Sequence, residues 1–257
     1  MDLGLRNRTA IVLGSTSGLG LASARRLAAE GASVMFCGRR LDLAESAAAE
    51  FPHCAASALN LADDQSLDEA IEACRNRLGA PDIVVLNSGG PPPGTASALN
   101  LDQLESSIHM MLLAQIKIVT KLLPGMLDRS WGRIVAIGSS GVQQPIPSLA
   151  QSNIARAGLA AYLKSLTGNV SRHGVTTNMV LPGRIATERI AALDRAASER
   201  TGKPVRNVQQ ESETAIPLGR YGRPDEFGDV VAFVCSERAS YITGSQIRVD
   251  GGLISAI

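Results

Sequence analysis

Little in this chain of 257 residues equips it for a metal, a disulfide framework or a polyanionic partner. Only four residues are cysteine, and Cys37, Cys54, Cys74 and Cys235 are scattered without CxxC or CxxH spacing. They read as small buried hydrophobes in a reducing, cytoplasmic setting rather than as cross-links. Only three residues are histidine (His53, His109 and His173), and no His/Cys/Asp cluster has ligand spacing, so no metal is expected. Net charge is almost absent, with Lys+Arg 25 against Asp+Glu 24, which argues against nucleic acid or a membrane surface as partner. Hydrophobic residues make up 45%, yet the purely apolar stretches fall far short of the ~18–20 residues of a membrane span. The opening MDLGLRNRTA has no apolar core, so no secretory leader is expected there.

What the chain does have is alternation. Short apolar runs at Ala10–Leu13, Ser33–Cys37, Cys54–Leu59, Ile83–Leu86, Arg133–Ile137, Thr176–Leu181 and Gln246–Val249 predict seven strands. Helix-period segments such as Leu19–Ala29 and Ser66–Arg77 lie between the first five. Strand–helix alternation implies parallel pairing, hence an α/β doubly wound parallel sheet of Rossmann type in three α/β/α layers. A single domain over 1–257 is expected. Segments 101–127 and 152–171 carry apolar stripes broad enough for two burial partners, the sheet and another subunit, so a dimer or tetramer is expected. Strand 4 runs into NSGGPPPG, a rigid loop that opens no helix and is expected to face the cleft. Thr187–Thr214 is polar and charged, with Gly202-Lys203-Pro204 in its middle, and reads as a substrate lid.

Strand 1 runs directly into Gly14-Ser15-Thr16-Ser17-Gly18-Leu19-Gly20 and then a helix. Glycines in that context permit a tight turn and let backbone approach a pyrophosphate at the helix N-terminus. About 20 residues on, an NAD site usually carries Asp or Glu for the ribose 2′-OH. Here strand 2 ends in Gly38-Arg39-Arg40. Two guanidiniums without a carboxylate suit a 2′-phosphate, and cations at a helix N-terminus are otherwise unfavourable, so NADP (NADPH) is the expected cofactor.

With the GxxxGxG spacing, Asn87-Ser88-Gly89, Gly132-Arg133-Ile134-Val135, Pro182-Gly183 with Thr187, and the tail IPLGRYGRPDEFGDVVAFVCSERASYITGSQIRVDGG, the chain resembles the short-chain dehydrogenase/reductase family over essentially its full length. It is most similar to the bacterial 3-oxoacyl-carrier-protein reductase type. The resemblance implies cofactor contacts from Gly14, Ser15, Ser17, Gly18, Leu19 and Gly20, with Asn60 and Leu61 near the adenine. It further implies Asn87 and Gly89 near the ribose, and Pro182, Gly183, Ile185 and Thr187 toward the carboxamide. Asn60 stands where the family usually has Asp.

The family's catalytic residues are an Asn in the long helix, a Ser after strand 5, a Tyr thirteen residues later and a Lys four residues beyond it. Placing the serine at Ser139 puts Ser152 at the tyrosine position, Arg156 at the lysine position and Met111 at the Asn position. Only Ser139 survives. A serine hydroxyl is far less acidic than a phenol of pKa ~10, and an arginine does not relay protons at neutral pH. Loss of a positioned general acid typically costs ~10²–10⁴-fold in rate. Tyr162 lies roughly 15 Å along the helix from position 152, and His109 points to a different face from Met111.

Ser139, Ser152 and Arg156 therefore stand as candidate catalytic residues, with Arg156 also able to hold a ribose. Three readings remain open. One is an NADP(H)-dependent oxidoreductase acting on a carbonyl or alcohol of a small molecule. The second is a catalytically impaired nucleotide-binding or regulatory protein, and the third a non-redox lyase or isomerase on the same fold. In the lid, Arg184, Arg189 and Arg195 with Glu188 and Asp194 read either as a solvated helix face with i,i+3 or i,i+4 pairs, or as a source of an anionic-substrate pocket built from Arg184 and Arg156.

Overall fold

The computed structural model describes residues 1–256. Seven strands form one sheet: β1 (Thr9–Val12), β2 (Ser33–Gly38), β3 (Ala55–Ala58), β4 (Ile83–Leu86), β5 (Gly132–Ile137), β6 (Val175–Pro182) and β7 (Gln246–Val249). They lie in the order β3-β2-β1-β4-β5-β6-β7, and every pairing is parallel. The doubly wound α/β sheet expected from the sequence is what forms. The strand ends differ from the sequence reading by at most one residue, because hydrophobic pattern marks burial while pairing sets the last hydrogen bond.

Strands buried on both faces read as continuous apolar runs rather than alternating ones, and β1 and β4 are fully buried along their length. Alternate side chains nevertheless serve opposite layers. Ile11, Met35, Val84 and Ile134 pack beneath α3 (Asp64–Leu78), α5 (Ala114–Asp128) and α6 (Ala150–Val170). Ala10, Val12, Val34, Phe36 and Val85 pack beneath α1 (Gly18–Ala29), α2 (Leu41–Ala48) and α9 (Pro224–Val234). This is the three-layer arrangement.

The segment expected as one helix over 101–127 is more particular. It comprises α4 (Leu101–Ile108), a π-helical turn at His109–Leu113, and α5. The Ala114 N–H reaches back to the His109 carbonyl, which inserts one residue into the helical repeat and rotates the faces that follow. Residues 101–128 are long and apolar enough by composition to cross a membrane, with a mean hydropathy of 1.4 over their most apolar window. Their burial has another cause. Ile118, Leu122 and Met126 pack into the core against the sheet, while Lys117 and Lys121 pair with Asp64 and Asp68 on α3.

The polar stretch at 187–214 is two helices, α7 (Glu188–Thr201) and α8 (Val205–Thr214). Gly202, in the left-handed region at φ 69°, ends the first, and Pro204 caps the second.

Because the chain winds outward from β1 to β3 and then returns to β4, the carboxyl ends of β1 and β4 flank the switch point, where open α/β sheets bind their ligands. Phe36, fully buried on β2 behind this point, anchors the layer of α1 and α9. Phe36→Ala is expected to cost about 3–5 kcal/mol in urea unfolding, with a cooperative transition retained; a loss below ~1 kcal/mol would show that the layer does not depend on it.

Candidate active site

The turn Gly14–Gly20 sits at the switch point and opens α1. Its N-cap, Ser17, makes no side-chain cap, and the first turn carries no acidic residue, so the positive end of the helix is uncompensated. Gly14 and Gly18 take φ of +57° and +56°, and a Cβ on Gly20 would stand 2.2 Å from the Gly14 carbonyl oxygen. Only glycine allows the backbone to fold back this tightly. Ser15 does not face outward: it is fully buried, and its hydroxyl takes the Cys37 N–H at 2.8 Å, joining the turn to β2.

The Asn87 side chain closes the turn from the other side, its Nδ2 lying 3.2 Å from Leu13 O and 3.1 Å from Gly14 O. Its amide is thus spent on holding β4 to the turn, leaving Oδ1 for a ligand. Gly89 is exposed with nothing within 4 Å of a would-be Cβ, an open cradle beside the turn. Thr187 caps α7 with its hydroxyl, and its Cγ2 lies 3.6 Å from where a Gly18 Cβ would be, so the β6 end reaches over the phosphate turn. Ile185 is buried and bridges to Gly222, so only its backbone can meet a ligand. Pro182 and Gly183, partly buried, end β6 beside it.

Arg39 and Arg40 are both exposed and form no ion pair among the described residues. Arg40 places Nη2 3.4 Å from the Thr16 hydroxyl, over the glycine turn. Asn60 binds the Ala62 N–H through Oδ1 at 3.2 Å, leaving its amide nitrogen exposed next to half-buried Leu61. Turn, cradle and uncompensated cations fit a dinucleotide phosphorylated on its adenosine ribose.

The candidate catalytic groups converge. Ser152 is buried in the first turn of α6, and Arg156, one turn later, donates Nε to its Oγ at 3.3 Å. Arg156 Nη1 also donates to the Ile137 carbonyl at the end of β5. Ser139 follows two residues on, its Oγ accepting the Gly141 N–H at 3.0 Å. Each hydroxyl accepts from a fixed donor, so its own hydrogen is free to point at a substrate oxygen. Burial pushes the Arg156 guanidinium down to about 10, helped by the charge of Arg189, yet it remains cationic at neutral pH. Met111 is buried in the π-helical turn.

The remaining acid–base candidates lie elsewhere. Tyr162 packs against the core beneath α5, where burial raises its phenol. His109, half-buried in the π-helical turn, has a buried Nε2 without a hydrogen-bond partner among the described residues. Asp64 on α3 is held below the usual carboxylate range chiefly by its hydrogen bond from Lys117, with the charge of His109 contributing. No group of three or more metal-ligating side chains exists among the described residues.

Glu188 and Arg195 are exposed, as a solvated helix face requires, but Arg184, Asp194 and Arg189 are not. Arg184 pairs at 2.6 Å with Asp194, which is fully buried and also accepts from the Tyr221 hydroxyl at 3.1 Å. Arg184 is therefore neutralised and is not the partner of Arg156. Arg189 takes that place: its Nη2 donates to the Pro91 carbonyl at 2.6 Å, bridging lid and β4 loop. In the β4 loop, Ser88, quoted from the sequence only as part of a motif, has a buried hydroxyl without a partner among the described residues.

A parallel seven-stranded sheet with a glycine turn at its switch point defines a Rossmann-type dinucleotide-binding protein. Residues 14–254 match the profile of the family described as enoyl-(acyl carrier protein) reductase. The chain belongs to the short-chain dehydrogenase/reductase family. It is 32% identical to the 3-oxoacyl-[acyl-carrier-protein] reductase of Aquifex aeolicus, over 98% of this chain and 100% of that one. It is 28% identical to an NADPH-dependent reductase of Bacillus subtilis, over 98% and 100% of the two chains. The L-sorbose reductase of Gluconobacter frateurii, solved with NADPH and L-sorbose, superposes with a TM-score of 0.93 at 28% identity over 100% of both chains.

The buried Asp194 orders the lid by holding α7 to the segment that carries Tyr221. Asp194→Ala leaves Arg184 without its partner, and a loss of about 1–3 kcal/mol is expected, with faster limited proteolysis within 188–214. Unchanged cleavage would show that the pair does not hold the lid.

Proposed function

We propose that the protein is an NADP(H)-dependent oxidoreductase interconverting a carbonyl and an alcohol on a small molecule, with a charge-stabilising site in place of a proton-donating one. The observation that carries this is the linked set Ser152, Arg156 and Ile137 O, with Ser139 beside it, at the carboxyl edge next to the glycine turn. The relatives named above, an acyl-carrier-protein reductase, an NADPH-dependent reductase and a sorbose reductase, support the reaction class.

Bound NADPH supplies the hydride. Gly14–Gly20 and the α1 N-terminus hold the diphosphate, Arg39 and Arg40 the 2′-phosphate, and Asn60 with Leu61 the adenine. Asn87 Oδ1, Gly89 and Arg156 position the nicotinamide ribose, while Pro182, Gly183, Ile185 and Thr187 line the carboxamide end. Ser139 and Ser152 donate to the substrate oxygen, and the Arg156 charge behind Ser152 strengthens that donation as negative charge develops. Neither hydroxyl is acidic enough to surrender its proton, so solvent protonates the product oxygen. Helices α7 and α8 form a lid over a single-domain, cytoplasmic enzyme. It assembles as a dimer or tetramer through α4, the π-helical turn and α6, where Leu101, Leu113 and Ile154 are exposed.

The cofactor assignment is read by thermal shift. NADPH is expected to raise the melting temperature more than NADH does, and Arg39→Ala with Arg40→Ala should erase the difference while leaving NADH binding intact. A larger shift with NADH would overturn it. The site assignment is read by restoring the acid. Ser152→Tyr with Arg156→Lys is expected to increase NADPH-dependent carbonyl reduction by about 10²-fold or more. Tight NADPH binding with no turnover in either form would favour a regulatory nucleotide-binding role instead.

A further inference from the structure

The lid of this protein brings a second unneutralised arginine into the cleft. Of the two lid arginines nearest β6, Arg184 is paired with buried Asp194, whereas Arg189 has no carboxylate partner among the described residues. Arg189 is half-buried and anchored by a single bond to the Pro91 carbonyl, which leaves most of its five N–H donors unspent. It lies flat against the loop because position 90 is glycine: a Cβ there would stand 2.9 Å from Nη2. Arg156, on α6, is likewise without a carboxylate, and its backbone and Ser152 bonds use Nη1 and Nε only. The charge of Arg189 reaches it, and burial and that charge together lower its guanidinium.

Two like charges in a partly desolvated cleft are costly unless a ligand neutralises them. Each presents a planar fork, the geometry that matches a carboxylate. Resting on the oxidoreductase reading, we propose that the substrate is an oxo acid or hydroxy acid whose carboxylate is gripped by Arg189 from the lid, opposite Arg156, with its carbonyl or hydroxyl oxygen toward Ser139 and Ser152. Arg189 is then the residue that selects charged over uncharged carbonyl compounds, and substrate binding draws the lid onto the β4 loop.

The other anion within reach is the cofactor's own diphosphate, since Thr187, two residues earlier, lies over Gly18. The test separates these sources and does not depend on turnover. The full-length protein, saturated with NADP, is titrated calorimetrically with 2-oxo and 3-oxo carboxylates of increasing chain length and with the methyl ester of each. At least one acid is expected to bind roughly 10- to 100-fold more tightly than its ester. Arg189→Met should abolish that preference with NADPH affinity unchanged. Gly90→Ala, which keeps the guanidinium but displaces it from the loop, should weaken acid binding at unchanged melting temperature. Equal binding of acids and esters, absence of binding by every acid, or a preference that survives Arg189→Met would overturn the proposal. A parallel loss of NADPH affinity in Arg189→Met would assign the arginine to the cofactor and overturn it too. Acids that bind but are never reduced would leave the carboxylate site standing and remove the oxidoreductase reading. Esters reduced as well as acids would do the reverse.

Discussion

The Asn87 side chain, bonded to the carbonyl oxygens of Leu13 and Gly14, is the contact on which the rest of the site depends. β1 and β4 are neighbours in the sheet although 70 residues of chain lie between Val12 and Ile83, and the helices that follow them leave on opposite faces. The seam between them must stay open at its mouth for a ligand and closed at its floor for the core. A neutral amide with two donors meets both needs: it satisfies carbonyls that the tight turn leaves without strand partners, and adds no charge to a place meant for phosphate. The missing side chain at Gly20 is the other half of this constraint. Any Cβ there would push apart Gly14 O and Asn87 Nδ2, both under 3 Å from its position.

Around that fixed floor, the arginines are sorted by what they meet. Arg129 finds Asp82 and Arg184 finds Asp194, and those pairs brace structure. Arg39, Arg40, Arg156 and Arg189 meet only hydroxyls and carbonyls, or solvent. A carbonyl acceptor orients a guanidinium without cancelling its charge. The four therefore keep their full field for ligands at the carboxyl edge of the sheet, although the chain as a whole is nearly neutral.

The sheet, its order of elements and the glycine turn were legible in the sequence because each depends on neighbours within a few residues. Hydrophobic runs, helix periods and glycine spacing are local signals. The pairing of Ser152 with Arg156 was legible for the same reason, being one turn of a helix. What escaped was set by tertiary packing. The π-helical turn inside 109–113 leaves no periodic trace, because apolar residues surround it on every side. Asp194 looked like a solvated helix charge, and only the fold of α7 against the Tyr221 segment buries it. The family resemblance puts Asn87 near the ribose, but nothing local shows that its Nδ2 is committed to the Leu13 and Gly14 carbonyls while Oδ1 stays free. Arg189 and Arg184 have the same side chain five residues apart, and nothing short of their three-dimensional partners distinguishes the one bonded to Pro91 from the one bonded to Asp194.

Removing the phenol, the ammonium and the Asn amide changes what kind of help such a site can give. A phenol beside an ammonium is tunable toward neutrality and can shuttle a proton. Ser139 and Ser152 have no such range, and Arg156, lowered only to about 10, stays cationic at neutral pH. His109, the nearest imidazole in sequence to the altered helix position, buries its Nε2 without a hydrogen-bond partner among the described residues. On the proposed reading, what remains is a fixed arrangement of donors and positive charge aimed at an oxygen, which stabilises the alkoxide as it forms and leaves its protonation to solvent. Its strength depends on excluding water, which weakens every one of these interactions. On the proposed reading, α7 and α8 thereby become part of the chemistry. A helix pair that is braced by a buried Asp194–Arg184 ion pair and fastened to the β4 loop through Arg189 would supply the desolvation that a proton-donating site needs less.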